Sequence, residues 1–190
     1  MVVPPTALAN LRKKLRNRRQ DIANKQNNAK FVAGAYLYQA IASCNTVGLY
    51  HPMSGEPDPL PLLANFLGLM SLPCLSQNPG AMHFRVWKPG VSLVTSPWGG
   101  VQPSASAALA CPDLIFVPLL AFDIRFNRIG QGGGHYDRYL AAHPSACRIG
   151  VAWEGQRLPQ IDAQPWDVPM DAIITETAFH VKDLKRCRTP

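Results

Sequence analysis

Apolar residues recur at helical spacing near the start of the chain. Leu8, Leu11, Leu15 and Ile22 fall on one face of a helix that this pattern predicts over residues 7–25. A second helix is predicted over residues 29–43, where apolar and small residues again form one stripe. The chain is therefore expected to begin with two helices.

Short apolar runs follow, and each is typical of a buried strand. They predict strands over residues 46–50, 71–76, 81–87, 114–117, 148–153 and 172–175. A helix is predicted over residues 136–142, and another from residue 62 onward, after two prolines. Strands that alternate with helices indicate an α/β domain with three layers, in which a mostly parallel sheet has helices on both faces. Ligands bind such sheets at the carboxyl ends of the strands.

Length and composition favour one globular domain over residues 1–190. Hydrophobic residues make up 47% of the chain and charged residues 16%, which is typical of a protein with a real core. The sequence contains neither a signal-peptide pattern nor an apolar stretch of the ~20 residues that a membrane helix needs. The five cysteines lack metal or redox spacing, so free thiols and a cytoplasmic location are expected.

The positive charge of the chain is local. The net charge is +7, but six of the 19 basic residues lie between Arg12 and Arg19, and the others nearly balance the 12 acidic residues. Arg12, Arg16 and Arg19 share one face of the predicted first helix. That face could bind nucleic acid or a membrane, or it could simply be solvated.

The segment after the strand at 114–117 has the composition of a phosphate site. Asp123 ends the apolar run, and Arg128 then leads into Gly130–Gly134, which is followed by Asp137 and Arg138. Glycines can present bare N–H groups to an anion, and the next helix would point its positive end at the same place. The spacing fits neither a dinucleotide fingerprint nor a Walker A loop. From these residues alone, a phosphate site and a simple turn are both open.

The same segment resembles the signature of the 5-formyltetrahydrofolate cyclo-ligases. The resemblance rests on Val117-Pro118, Ala121-Phe122-Asp123 and the run from Arg128 to Asp137. Within that run, Ile129 stands for a leucine and His135 for an aromatic residue. The resemblance implies a single cyclo-ligase-like domain with a Rossmann-like fold.

The resemblance also implies roles for individual residues. Those implied to bind ATP are Arg12, Arg128, Ile129, Gly130, Gln131, Gly132, Gly133, Gly134, His135 and Tyr136. Those implied to bind the folate are His51, Glu56, Trp98, Gln131, Gly132, Gly133, Gly134 and His135. Asp137 and Asp167 would hold Mg²⁺, and Arg128 and Asp137 would be catalytic. Two positions depart from the family, because Leu8 replaces a lysine and His51 an apolar residue.

The implied reaction is the ATP- and Mg²⁺-dependent cyclisation of 5-formyltetrahydrofolate to 5,10-methenyltetrahydrofolate, with release of ADP and phosphate. The expected partners are ATP and the folate, with or without a polyglutamate tail, and neither a membrane nor nucleic acid. A monomer or weak dimer is expected. One alternative is an inactive paralogue that binds RNA through Arg12–Arg19. A second is another α/β enzyme, such as a sugar-phosphate isomerase or a CoA transferase.

Overall fold

The computed structural model describes residues 5–26, 30–76, 82–97, 99–183 and 185–187. Within these residues the α-helices are α1 (Pro5–Ala23), α2 (Ala35–Ala42) and α3 (His135–Ala142). The strands are β1 (Thr46–Gly48), β2 (Leu69–Leu75), β3 (Met82–Val86), β4 (Val94–Thr95), β5 (Val101–Gln102), β6 (Leu109–Ala110), β7 (Leu114–Pro118), β8 (Ala121–Phe122), β9 (Arg128–Ile129), β10 (Cys147–Val151), β11 (Ala172–Ile174) and β12 (Phe179–Val181). Short 3-10 helices span Leu60–Leu63, Glu154–Gln156 and Lys185–Cys187.

One eight-stranded sheet organises the fold. Its strand order is β12-β11-β10-β7-β1-β2-β3-β6. The five strands from β11 to β2 run parallel to one another, and β12, β3 and β6 add antiparallel edges. This arrangement confirms the predicted mostly parallel sheet.

The central strands are buried on both faces, which explains their continuous apolar runs. Along β7, Leu114 and Phe116 join a core cluster with α2, whereas Ile115 and Val117 join a second cluster with α3. Alternate residues of a strand point to opposite faces, so α2 and α3 cover opposite sides of the sheet. The predicted three layers are therefore present.

Helix α1 packs elsewhere, against the hairpin of β8 and β9 that follows β7. Its buried Leu15 contacts a small cluster that includes Leu120, Ala121 and Ile129. The hairpin lies beyond the carboxyl end of β7, so the packing of Leu15 brings the basic helix to that end of the sheet.

Three local expectations are corrected by the structure. Helix α2 begins at Ala35 rather than at residue 29, and residues 27–29 lie outside the described part. The segment expected to be helical from Leu62 onward forms only a 3-10 turn, because Pro59 and Pro61 restrict its start. Cys147 is in a disulfide, so among the cysteines whose side chains are described the expectation of free thiols holds for Cys44, Cys74 and Cys111.

The helices in the described ranges were also compared with what a bilayer requires. None of them combines the length and apolar character needed to span a membrane.

Candidate active site

The candidate site lies where the strand order reverses. Strands β1 and β7 are parallel neighbours in the sheet. The next strand of this sheet after β1 is β2, on one side of the pair, and the next after β7 is β10, on the other side. The loop after β1 leads to Glu56, and the loop after β7 leads through the β8–β9 hairpin to Gly130–Gly134. A reversal of this kind leaves a crevice at the carboxyl ends of the strands, where α/β proteins bind ligands. Two segments with predicted ligand contacts therefore start from adjacent strand ends.

Asp123 shapes the hairpin that precedes the glycine loop. Its carboxylate is buried and accepts hydrogen bonds from the N–H groups of Arg125, Asn127 and Ile161, at 2.9 to 3.0 Å. A carboxylate with this many donors organises the backbone and has little capacity left for a ligand. Asp123 therefore positions the loop.

The glycine loop folds around the guanidinium of Arg12. Gly132 has φ of 107° and Gly134 has φ of 63°, both in the region that disfavours residues with a Cβ atom. Arg12 Nε donates to the carbonyl oxygen of Gly130 at 3.2 Å. A Cβ atom at Gly132 would lie only 3.1 Å from the Arg12 guanidinium. Arg12, predicted to bind phosphate, is thus brought onto the predicted phosphate loop.

Arg128 is buried below this loop and pairs with Asp137. Arg128 Nη2 lies 2.7 Å from Asp137 Oδ1, and the second terminal guanidinium nitrogen, Nη1, donates to the carbonyl oxygen of Val168. The N–H of Val168 in turn donates to Asp137 Oδ1 at 3.1 Å. In this arrangement Arg128 orients Asp137 instead of facing the exposed side of the loop. Its predicted contact with phosphate stays a prediction.

The carboxylates of Asp137 and Asp167 suit a magnesium ion. Asp167 directly precedes Val168, and its own Oδ2 accepts the N–H of Gln164 at 2.8 Å. Both contacts of Asp137 use Oδ1, so Oδ2 is the oxygen that would reach a cation. No cluster of three or more metal-ligating side chains occurs in the described ranges. Mg²⁺ fits this set, because it commonly takes one or two carboxylates and completes its shell with water and phosphate oxygens.

Glu56, predicted to bind the folate, is held by a buried ion pair. Arg19 Nη1 lies 2.7 Å from Glu56 Oε1, and each side chain is only 4% exposed. Glu56 Oε2 accepts the N–H of Met53 at 3.0 Å. His51 is exposed earlier in the same loop. Trp98, also predicted to bind the folate, lies outside the described residues.

His135 and Tyr136 are the first two residues of helix α3, directly after the glycine loop. Burial and the positive charge of Arg138 lower the pKa of His135, so its imidazole is neutral near pH 7. Burial and the negative charge of Glu56 raise the pKa of Tyr136, whose hydroxyl is buried without a hydrogen-bond partner among the described residues. An unsatisfied buried hydroxyl is uncommon, and a bound ligand or water is one way to complete it.

Several residues of the site were missed by the sequence interpretation. Arg19 pairs with Glu56, Arg16 Nε donates to Gln131 Oε1 at 3.1 Å, and Trp153 Nε1 donates to the carbonyl oxygen of Gly55 at 3.0 Å. The common helical face of the arginines was the available signal, but it suggested an external surface. The structure buries only Arg19 of this face. Arg12 is partly buried and Arg16 is exposed, and both contact the glycine loop.

Comparison with known proteins identifies the family. The model of the 5-formyltetrahydrofolate cyclo-ligase family matches residues 6–176. The chain belongs to this family. A 5-formyltetrahydrofolate cyclo-ligase of Mycolicibacterium smegmatis is 30% identical over 185 residues, which cover 90% of this chain and 94% of the relative. A cyclo-ligase of Escherichia coli K12 is 28% identical over 148 residues, or 73% of this chain and 81% of the relative.

The fold of a solved relative agrees. The NMR structure of 5,10-methenyltetrahydrofolate synthetase from Aquifex aeolicus superposes with a TM-score of 0.69 at 25% identity, covering 96% of this chain and 95% of the other. The predicted family, the α/β fold and the ligase class are thereby confirmed.

Proposed function

We propose that the chain catalyses the ATP- and Mg²⁺-dependent cyclisation of 5-formyltetrahydrofolate to 5,10-methenyltetrahydrofolate, with release of ADP and phosphate. The observation that supports this most is the position of helix α1. Arg12 of this helix lies against the glycine loop, and Arg19, two turns later, holds the carboxylate of Glu56. One rigid element therefore joins a cationic loop suited to phosphate and a carboxylate suited to a pterin ring. Membership of the cyclo-ligase family supports the same reaction.

The reaction needs activation of a poor leaving group. The formyl oxygen attacks the γ-phosphorus of ATP, so that an O–P bond forms and the bond to the β-phosphate oxygen breaks. The exocyclic amine then attacks the activated carbon, the C–O bond breaks, and phosphate leaves with the amine proton. Transfer of a phosphoryl group depends chiefly on positioning and on stabilisation of charge. Arg12 and the backbone of Gly130–Gly134 would supply both, with Arg128 as the predicted further phosphate contact.

Asp137 and Asp167 would hold the magnesium ion, which when bound would neutralise charge on the phosphates. Arg128 keeps Asp137 in place through the 2.7 Å contact. Glu56 would orient the pterin, because its two carboxylate oxygens can accept the adjacent N–H donors of that ring.

The RNA-binding alternative loses part of its surface. It uses the basic run Arg12–Arg19, of which Lys13, Lys14, Arg16 and Arg18 are exposed. Arg19 is 3% exposed, and Arg12 and Arg16 contact residues of the glycine loop. These contacts favour a role inside the candidate active site.

The direct test is an absorbance assay of the purified protein with Mg²⁺, ATP and 5-formyltetrahydrofolate. We expect the near-ultraviolet band of the methenyl product to grow only when all three are present. A flat trace from protein with a normal thermal melt would refute the proposed reaction, and titration with RNA would then be the next experiment.

Glu56→Gln is expected to raise the KM for the folate at least tenfold and to change the KM for ATP less than threefold. The amide replaces one acceptor oxygen by a donor, which mismatches the pterin N–H groups. It also leaves Arg19 buried without a carboxylate, so the melting temperature should fall. Initial rates at varied concentrations of each substrate would measure both constants.

Glu176→Gln is a matched control for this change. Glu176 also accepts one backbone N–H, from Glu154 at 2.9 Å, and one side-chain donor, from Gln26 at 3.2 Å, but it follows β11. Its KM values should remain those of the wild type. Equal increases of both KM values in Glu56→Gln would contradict a specific role for Glu56 in folate binding.

A further inference from the structure

The ion pair between Arg19 and Glu56 is unusual because it is almost completely buried. Arg19 is 3% exposed, although it belongs to a helix whose other arginines and lysines are largely at the surface. Removing two charges from water carries a large desolvation penalty, which only good geometry offsets. A pair kept in such a position is therefore a candidate for a role beyond stability.

The contacts fix the carboxylate at both oxygens. Arg19 Nη1 donates to Glu56 Oε1 at 2.7 Å, and the N–H of Met53 donates to Oε2 at 3.0 Å. Arg19 Nη2 also donates to the carbonyl oxygen of Ser54 at 3.3 Å, within the same loop. Arg19 thus contacts both the carboxylate and the backbone that carries it, so the plane of the carboxylate is defined.

Two buried polar groups on this side of the molecule have no hydrogen-bond partner among the described residues. They are Arg19 Nε and the Tyr136 hydroxyl. Buried side-chain groups of this kind are uncommon, and the described residues contain one more, Arg148 Nε, in the network of Asp171. The two that lie beside Glu56 are consistent with a polar site that a ligand completes.

We propose that Arg19 is a positioning residue, which holds the carboxylate of Glu56 in the orientation that receives the pterin ring. The same helix places Arg12 on the glycine loop, so α1 also sets the spacing between the folate carboxylate and the phosphate loop. This inference rests on the proposed function, because it requires Glu56 to contact the folate. Arg19 would act through Glu56 and would not contact the substrate itself.

A double-mutant cycle tests the proposal. The variants are Arg19→Met, which keeps most of the side-chain volume, Glu56→Gln, and both together. Arg19→Met alone is expected to raise the folate KM about tenfold, with less than a threefold change in the ATP KM. In the Glu56→Gln background, the same change should add less than a twofold increase, because residues that act through one another are not additive. Independent, multiplying increases of the folate KM would overturn the proposal, as would equal increases of both KM values.

Two further variants separate positioning from folding. Arg186→Met removes another guanidinium that lies 2.7 Å from a carboxylate, that of Asp171, and it should leave both KM values unchanged. Arg19→Lys keeps the charge but cannot reach Glu56 and the Ser54 carbonyl with a planar fork, so an intermediate folate KM is expected. If Arg19→Met fails to fold, a wild-type folate KM in Arg19→Lys would overturn the proposal.

Failure of the proposed function would look different. If the wild-type protein shows no turnover, the dissociation constant of 5-formyltetrahydrofolate from titration calorimetry replaces the KM in the same cycle. Wild-type turnover with an unchanged folate KM in Arg19→Met would refute only the positioning role. Absence of both turnover and folate binding in the wild type would refute both proposals.

Discussion

Replacing Asp137 by asparagine is expected to lower kcat by on the order of 10³-fold while the protein remains folded, because charge stabilisation at the transferred group is worth about that factor. The amide oxygen can still accept the N–H of Val168, but it cannot neutralise Arg128 or bind Mg²⁺ as a carboxylate does. The magnesium concentration that gives half-maximal rate should therefore also rise. Steady-state rates over a range of Mg²⁺ concentrations would measure both effects.

Asp171→Asn provides a control of the same chemistry. Asp171 also pairs with an arginine, Arg186, at 2.7 Å, and accepts a backbone N–H, that of Arg148, at 3.0 Å. Both variants should lose some stability, since each leaves an arginine without its carboxylate. Only Asp137→Asn should lose turnover and require more Mg²⁺. Full activity in Asp137→Asn at ordinary Mg²⁺ would exclude Asp137 as a metal ligand.

Much of the central fold could be predicted because the pattern that marks each buried strand is local in sequence. Strands β7 and β10 are buried on both faces, so their apolar runs are continuous and easily recognised. Strands β6 and β8, which are among the shortest, have two residues each and escaped prediction. A two-residue strand is defined by its pairing partner and has no periodicity of its own.

The site was predicted in part for the same reason. Gly130–Gly134 could be recognised because glycines cluster so densely mainly where the backbone must turn sharply or approach a ligand closely. The ion pair of Arg19 and Glu56 could not, because 37 residues separate the partners and only the fold brings them together. The residue roles assigned from the sequence treated arginines and carboxylates as separate ligand contacts. The structure instead joins Arg19 to Glu56 and Arg128 to Asp137, so that each carboxylate is oriented by a cation.

Gly132→Ala is expected to raise the KM for ATP at least tenfold. The φ of 107° at Gly132 strains any residue with a Cβ atom, at a cost of about 1–3 kcal/mol. The new methyl group would also lie 3.1 Å from the Arg12 guanidinium, which must shift by a few tenths of an ångström to make room. The strain in the loop and the displaced cation together should weaken ATP binding more than folate binding. Rates at varied ATP and at varied folate would separate the two constants.

Gly90→Ala distinguishes strain from loss of the site. Gly90 has a comparable φ of 88°, but a Cβ atom there would meet nothing within 4 Å. The two alanine variants should therefore lose similar thermal stability, because both carry the same type of backbone strain. Only Gly132→Ala also displaces Arg12, so only it should bind ATP poorly. Suppose that both variants melt at the same lowered temperature and both keep the wild-type KM for ATP. Gly132 would then not belong to a phosphate site, and the contact of Arg12 with the loop would be structural.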